Sequence, residues 1–490
     1  MSKQNGGIIG PNNIPTGAFG SASGVWKLSD AINYKRQGTW PIALSGHQVA
    51  NSARFETNTY MKKTASSGNT KTFTISFWCK RANLATGNNQ FPISFYQDSS
   101  NRISVALLTD NTFIVYAEVG GSTKMNLITN RVFRDTSAWM HFFIKVDTTQ
   151  GTEANRVKLY INGTQETSFS TATYPSQNQD LIINTNVYVG TYDTSNNFYN
   201  GYMAESVYID GTAYDSTSFG EFDSQTGIWV PKNVNGLTAG TNGFYLNFED
   251  SSNLGNDVFG GTDLTEYNFT SIDQSTDTCT NNFATLNPLD NYYCAGTFSD
   301  GNNTIVTGSS EYSYVTGTLG VSQGKWYYEA KAVATGSSNT WYSIGWSGNS
   351  PSGTTVPLGN QPDSVSYQGQ NGTIRINGSE TSTGTTFTTG DIIGTALDLD
   401  NNLVYFYKNG TLVNLGGTAI TASASTTNGV WCPAVGDFDS SGTKTWSTDF
   451  GSPVYAISSG NVDSSGLGNF EYAVPEGFYS ICTKNLNLIG

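Results

Sequence analysis

The chain has 490 residues, too many for one hydrophobic core, so two or three domains of roughly 100–200 residues are expected. Hydrophobic residues make up 37% and charged residues only 13%, with 13% aromatic and 54 glycines. This excludes a disordered chain of high charge density and points to aromatic, β-branched strands joined by Gly- and Asn-rich turns. A net charge of −14 with no basic run excludes a nucleic-acid binder and a partner of anionic membranes, which leaves glycans, other proteins or further copies of the chain.

In chain order, residues 1 to about 22 are punctuated by Gly6, Gly7, Gly10, Pro11, Pro15, Gly17 and Gly20 and have the pattern of a flexible arm. The start, Met1-Ser2-Lys3-Gln4, has no apolar signal core, and no apolar run approaches the roughly 18 residues of a membrane span. Synthesis in a cytoplasm without a signal peptide and without membrane insertion is expected. A short helix follows, with Ser29 as N-cap, Asp30 in the first turn, Lys35 and Arg36 in the last, Gly38 after it and Trp40-Pro41 as its stop. Trp26, Leu28, Ile32, Tyr34 and Trp40 give it more apolar surface than it can bury alone. Either it packs on the next domain, or arm and helix (1–41) dock into a partner subunit.

From 42 to 230, strand-like runs alternate with polar turns. Thr72-Phe73-Thr74-Ile75-Ser76-Phe77 has the period of a half-buried strand, and Trp139 to Val146 is apolar on both faces, as a central strand would be. Val157 to Ile161 runs into Asn162-Gly163, a pair suited to the positive φ angles of a type I′ hairpin. Residues 231–295 read as a connector with one strand, Phe244 to Phe248. From 296 to 490 the strand rhythm returns at Lys325 to Ala330, Trp341 to Trp346 and Leu403 to Lys408, the last leading into Asn409-Gly410. Tyr160-Ile161-Asn162-Gly163-Thr164 and Tyr407-Lys408-Asn409-Gly410-Thr411 share one pattern, consistent with two sandwiches of related topology. Five cysteines, at 79, 279, 294, 432 and 482, follow no metal spacing and read as free thiols, although Cys279 and Cys294 are near enough in sequence to pair.

These runs carry a resemblance. Asn51 to Phe55, Lys71 to Arg81, Trp139-Met140-His141, Leu159 to Gly163, Val187 to Gly190 and Gly201 to Gly211 resemble the laminin-G-like (concanavalin A-like) domains of phage tail and virion proteins. Gly324 to Glu329, Ser343 to Trp346, Gly390 to Gly394, Leu397 to Asp400 and Phe406 to Gly410 resemble a SPRY domain, in that family's order. The tail Val474 to Phe478 and the pair Gly24 to Leu28 and Gly38 to Pro41 resemble segments of phage fibre-like proteins. The resemblance implies an all-β chain: two antiparallel jelly-roll, concanavalin A-like sandwiches in tandem, with an N-terminal arm and one short helix. It further implies a virion surface protein, a tail fibre or capsid appendage anchored through its N-terminus to other phage structural proteins. Release by lysis would explain an extracellular composition without a signal peptide. Expected partners are host surface glycans or proteins, with a homotrimer as the usual fibre assembly. The alternatives are a decoration protein that binds no receptor, or a polysaccharide depolymerase.

Catalytic patterns are sparse. Hydrolases of the concanavalin A-like fold place two carboxylates on one strand as Glu-x-Asp-x-x-Glu, and here Glu221-Phe222-Asp223-Ser224-Gln225-Thr226 ends on threonine. Of two histidines, His47 and His141, neither has a Gly-x-Ser-x-Gly partner, and His141 alternates with Trp139 and Phe143 as a sheet histidine would. No enzyme and no cofactor are expected. Calcium, which laminin-G-like domains often hold at a rim, has only Asp398, Asp400, Asp437 and Asp439 as candidates, and the first two also read as a turn. Candidate sugar-stacking aromatics near loops are Tyr192, Phe198 and Tyr199 in the first domain and Trp341, Tyr342 and Tyr367 in the second.

Overall fold

The computed structural model describes residues 46–490, apart from 85, 86, 183, 184, 195, 196, 225, 310, 311, 440 and 441, together with Lys27, Asp30 and Tyr34. Asp30 and Tyr34 are helical, and Tyr34 is half-buried. Trp26, Leu28, Ile32 and Trp40, the other expected anchors, lie outside the described residues. No described helix is long and apolar enough to cross a membrane.

The chain is all-β and forms two antiparallel sandwiches in tandem. One sheet of the first runs Thr164–Glu166, Val157–Ile161, Met140–Asp147, Thr72–Arg81, Gly201–Asp210, Ser52–Phe55 and Gln274–Ser275, with Phe244–Leu246 also paired to Gly201–Asp210. The facing sheet runs Phe169–Thr173, Ser122–Val132, Thr112–Val119, Asn101–Leu107, Gln90–Asp98, Asn186–Val189, Tyr60–Thr64 and Thr265–Tyr267. Alternation sets the core: Phe73, Ile75, Phe77, Phe142 and Ile144 from one sheet meet Ile93, Phe95, Ile103, Val105 and Val115 from the other.

Residues 231–295 are more than a connector. Phe244–Leu246, Thr265–Tyr267 and Gln274–Ser275 each pair with a strand of the first sandwich. Phe283 bridges Cys482, and Ala284 and Leu286 enter the second core. The first lies within the expected strand Phe244 to Phe248, whereas Thr265–Tyr267 and Gln274–Ser275 are only three and two residues long, too short to show a period in the sequence.

The second sandwich sets Thr297–Ser299, Thr304–Val306, Lys444–Asp449, Lys325–Thr335, Ile392–Asp398, Leu403–Lys408 and Thr411–Leu412 against Tyr314–Thr316, Cys432–Asp437, Tyr342–Ser347, Ser364–Gln368, Thr373–Ile376 and Ser379–Ser382. Trp326, Trp346, Trp431 and Trp446 are fully buried between them. The chain closes on a helix, Thr483–Ile489, which has no counterpart in the sequence expectation. It is held by Asn485, whose buried amide donates to Asp463 and Ser480. None of the five cysteines is in a disulfide.

The repeated Asn-Gly turns are the same device twice. Asn162 and Gly163 have φ of 47° and 74°, and Asn409 and Gly410 have 47° and 77°, as a type I′ hairpin requires. Each asparagine side chain accepts the backbone N–H of the adjacent strand, from His141 at 2.7 Å and from Ile392 at 2.9 Å. Each glycine also seats an aromatic from the segment lying over its sheet. A β-carbon on Gly163 would stand 2.2 Å from Trp229, and one on Gly410 2.7 Å from Tyr472.

Candidate functional site

Three of the four outer sheet faces are covered by the chain itself. Over the first sheet, Val49, Trp78, Trp139, Tyr202 and Trp229 form one layer and Phe143, Val207, Phe219, Val234 and Tyr245 another. In the second sandwich, Phe470 and Phe478 cover Tyr327 and Ala396, and Leu358 covers Tyr314 and Ala434. Over the outer face of the second sheet of the first sandwich the cover by described residues is partial: Ser94, Ser104 and Tyr188 are buried there, Ser94 beneath the Thr191–Tyr192 loop to which it donates, while Tyr96, Arg102 and Tyr116 are half-buried.

Register gives that open face its character. Val115, Ile103, Phe95, Val187 and Met61 point into the core, so their neighbours point out. One row across the sheet reads Tyr116, Ser104, Ser94, Tyr188, Lys62 and Thr265. The next brings Glu118, Arg102, Tyr96 and Asn186 together. Tyr192, from the loop after Asn186–Val189, lies 4.8 Å from the Phe91 ring and 5.0 Å from that of Tyr96. It helps to line a cleft of about 290 Å³ with Phe91, Arg102, Ser104, Ile114 and Tyr116. Arg102 pairs with Glu118 at 2.7 Å and lies 5.5 Å from the centre of the Tyr116 ring, whose hydroxyl donates to Glu118 at 2.9 Å. Burial raises the pKa of the Tyr192 phenol while Arg102 pulls it down. Farther along, Tyr60 and Tyr267 stack at 4.4 Å, with Phe198 and Tyr188 each 6.2 Å from Tyr60. Tyrosine rings with hydroxyls at their tips, beside one guanidinium and amide-bearing loops, can pack against C–H surfaces and hydrogen-bond to hydroxyls in a single footprint.

The covered face holds ionisable groups in closed networks. Trp229 donates to His141 Nδ1 at 3.0 Å, so Nε2 carries the proton toward Ser76 Oγ at 2.8 Å. Burial holds this imidazole neutral, with its pKa down to about 3. The expectation of a hydrogen-bonded sheet histidine is met. His47 lies 3.4 Å from Glu205, which raises its pKa. In the second sandwich burial pushes the Glu329 carboxyl up to about 7, against the hydrogen bonds of Tyr327 and of the Tyr472 and Glu471 amides. Burial also pushes Asp437 up to about 8, against its bond from Thr307 and the charge of Lys444. Raised carboxyls can mark acid catalysts in clefts. Glu329 and Asp437 are instead fully buried in the sandwich.

Of the expected stacking residues, Tyr192 and Phe198 stand on the open face. Tyr199, Tyr342 and Tyr367 do not: all three are fully buried core residues. Their hydroxyls are used internally, with Tyr199 donating to Lys80 O at 2.9 Å, Tyr367 donating to Thr385 O, and Tyr342 bonded to Thr389 Oγ1 at 3.1 Å. Tyr342 and Tyr367 sit near turns but on the inward set of their strands with Ile344 and Val365, and loop proximity alone does not reveal that. Trp341 is half-buried beside Phe438 at 5.5 Å.

Three of the four calcium candidates have partners within the chain. Asp398 accepts from Asn401 at 3.0 and 2.9 Å and pairs with Lys325 at 3.0 Å, so an ammonium already sits on it at the turn. Asp439 pairs with Lys444 at 3.2 Å, Asp437 accepts from Thr307, and Asp400 is exposed. Among the described residues no group of three or more His, Cys, Asp or Glu is placed to hold a metal. Asp223 accepts from Thr226 at 2.7 Å and 2.9 Å as a turn cap, and Glu221 faces Lys232 at 3.9 Å. Tyr96, Arg102, Tyr116, Tyr188 and Tyr267 escaped the sequence reading. Their signal, a tyrosine, arginine or lysine recurring among the outward positions of neighbouring strands, emerges only once the strands are in register.

Among curated proteins none matches the chain. Among solved structures, the SPRY domain of human HERC1 is similar at 21% identity over 31% of this chain and 91% of its own, with a TM-score of 0.26. A heptameric SAP-like pentraxin from Limulus polyphemus is similar at 14% identity over 35% of this chain and 81% of its own, with a TM-score of 0.27. Residues 55–207 match the family model of the concanavalin A-like lectin/glucanases superfamily and residues 325–437 that of the SPRY domain, so the chain carries these two domains in that order.

Proposed function

We propose that this protein is a non-enzymatic, glycan-binding surface protein of a phage particle, anchored through residues 1–41 and reading host surface glycans with the open face of its first sandwich. One observation carries the binding reading: of four outer sheet faces, the one least covered by the described residues is lined by tyrosines around Arg102, Glu118 and a cleft. A partly exposed face of amphipathic rings suits a ligand with C–H faces and hydroxyl edges. The virion setting rests on the phage-fibre resemblance of the termini, and the non-enzymatic reading on Asp223 and Glu221 being engaged in a turn cap and a surface ion pair.

Titration of the full chain with host surface polysaccharide should give saturable binding and no new reducing ends. Tyr96→Ala/Tyr192→Ala should weaken it roughly tenfold or more, about 1.4 kcal/mol, with the unfolding midpoint little changed, whereas Trp341→Ala should not alter it. Equal loss with Trp341→Ala would sink the assignment to this face. A chain lacking residues 1–41 should fold yet fail to join particles in an assembly assay, and normal incorporation would refute the anchor.

A further inference from the structure

Where the two sandwiches meet, a lysine is enclosed by groups that suit a reaction. Lys80, on Thr72–Arg81 and 1% exposed, donates to Asp277 Oδ2 at 2.7 Å, to the side-chain carbonyl of Asn282 at 2.7 Å and to Phe283 O at 3.1 Å. Its Nζ lies 5.6 Å from the centre of the Tyr202 ring. Asp277, also 1% exposed, is fixed by Trp139, whose indole N–H donates to Oδ1 at 2.9 Å. Asn282 is fixed by donating its amide to Ser137 O at 2.6 Å. Asp277, Asn282 and Phe283 O give the ammonium one acceptor for each of its three N–H groups, and one of those acceptors is a carboxamide, whose carbonyl carbon an amine can attack.

We propose that Lys80 and Asn282 become joined by an amide bond, with Asp277 as the proton carrier, linking the first sandwich covalently to the segment that leads into the second. In a buried site, passing a proton from Lys80 Nζ to Asp277 turns two charges into a neutral pair and frees the amine lone pair. That pair forms the Nζ–Cγ bond with Asn282. A second Nζ proton passes through Asp277 to the amide nitrogen as the Cγ–Nδ2 bond breaks. The leaving ammonia departs with the first proton as ammonium, Asp277 ends as carboxylate, and Nζ keeps its last hydrogen. No oxidant or further reactant is required. Three groups held together by the fold supply the proximity that such an otherwise slow aminolysis needs.

The test is the intact mass and the tryptic map of the purified full chain. The expected mass is lower than the sequence mass by one ammonia. The map should show resistance to cleavage after Lys80 and a branched peptide containing Lys80 and Asn282. On a denaturing gel the chain, closed into a loop spanning 202 residues, should migrate differently from Lys80→Arg and Asn282→Ala, which should have their full masses. Full mass in the wild type overturns the proposal whether or not the variants fold. So does an ammonia loss that persists in Lys80→Arg, since an Asn-Gly succinimide would then account for it.

Discussion

On the covered sheet of the first sandwich the outward residues include Trp78, Lys80, His141, Phe143 and Tyr202; on the open sheet they include Lys62, Tyr96, Arg102, Tyr116 and Tyr188. Both sets follow the same alternation, and both contain rings and cations. The difference lies in what the polar atoms meet. On the covered side each named donor ends on another buried side chain or carbonyl, such as Trp229 on His141, Lys80 on Asp277 and Tyr202 on Gly301 O at 3.1 Å. On the open side Tyr188 is buried, but Tyr267 is 37% exposed, Tyr96 is half-buried, and Arg102, Tyr116 and Tyr192 are half-buried around a cleft. A closed network stabilises a fold, whereas polar and aromatic groups that still face solvent are available to a ligand.

The sharpest way to break this distinction is Trp229→Ala. Trp229 is 6% exposed, lies against Gly163 and Gly220, where an added β-carbon would come within 2.2 and 2.4 Å, and caps His141. Its loss should destabilise the chain by about 3–5 kcal/mol, from the cavity and the unpaired imidazole nitrogen together. Chemical denaturation measures this. A cost below about 1 kcal/mol would show that the cover is not part of the fold.

His141 tests the same face through pH. Its folded pKa is lowered to about 3 by burial, against an ordinary value near 6.5. The unfolded chain therefore binds a proton that the folded chain refuses, and His141 lowers stability progressively as pH falls from about 6.5 toward 3. In His141→Gln this acid-linked loss is absent. The penalty of the substitution, measured against wild type by denaturation, should shrink by on the order of 2 kcal/mol between pH 7 and pH 4.5. A penalty independent of pH would mean that the imidazole is open to solvent.

Much of the fold was legible because periodicity is local. The strands beginning at Thr72, Val157, Lys325 and Leu403 and both Asn-Gly turns stand where alternation and turn chemistry place them. What escaped is tertiary. Thr265–Tyr267 and Gln274–Ser275 are strands because neighbours accept them, not because they carry a pattern. The same holds for the candidate site: Tyr192 and Phe198 were visible from their loop, but Tyr96, Tyr116 and Tyr188 belong to different strands, and only register makes them one surface. Lys80, Asp277 and Asn282 lie far apart in sequence, and nothing in their local context marks them as partners.

The smallest expected effect is also the one that completes the comparison. Tyr267 stacks on Tyr60 at 4.4 Å with an interplanar angle of 9°, on Thr265–Tyr267, the last strand of the open sheet. Burial cannot explain a ring left 37% exposed. If the open face is kept for binding, the ring adds little to the fold beyond its pairing with Tyr60. An aromatic pair contributes about 0.5–1.5 kcal/mol, so Tyr267→Ala should cost about 1 kcal/mol or less in denaturation, far below Trp229→Ala. In the polysaccharide titration it should weaken binding only if the ligand is long enough to reach from Tyr192 along the sheet. Comparing short and long chains of one polysaccharide separates the cases. Loss confined to the long chains marks an extended footprint, and no loss with either confines the site to the cleft around Tyr192. A stability cost as large as that of Trp229→Ala would show that the open face is structural after all.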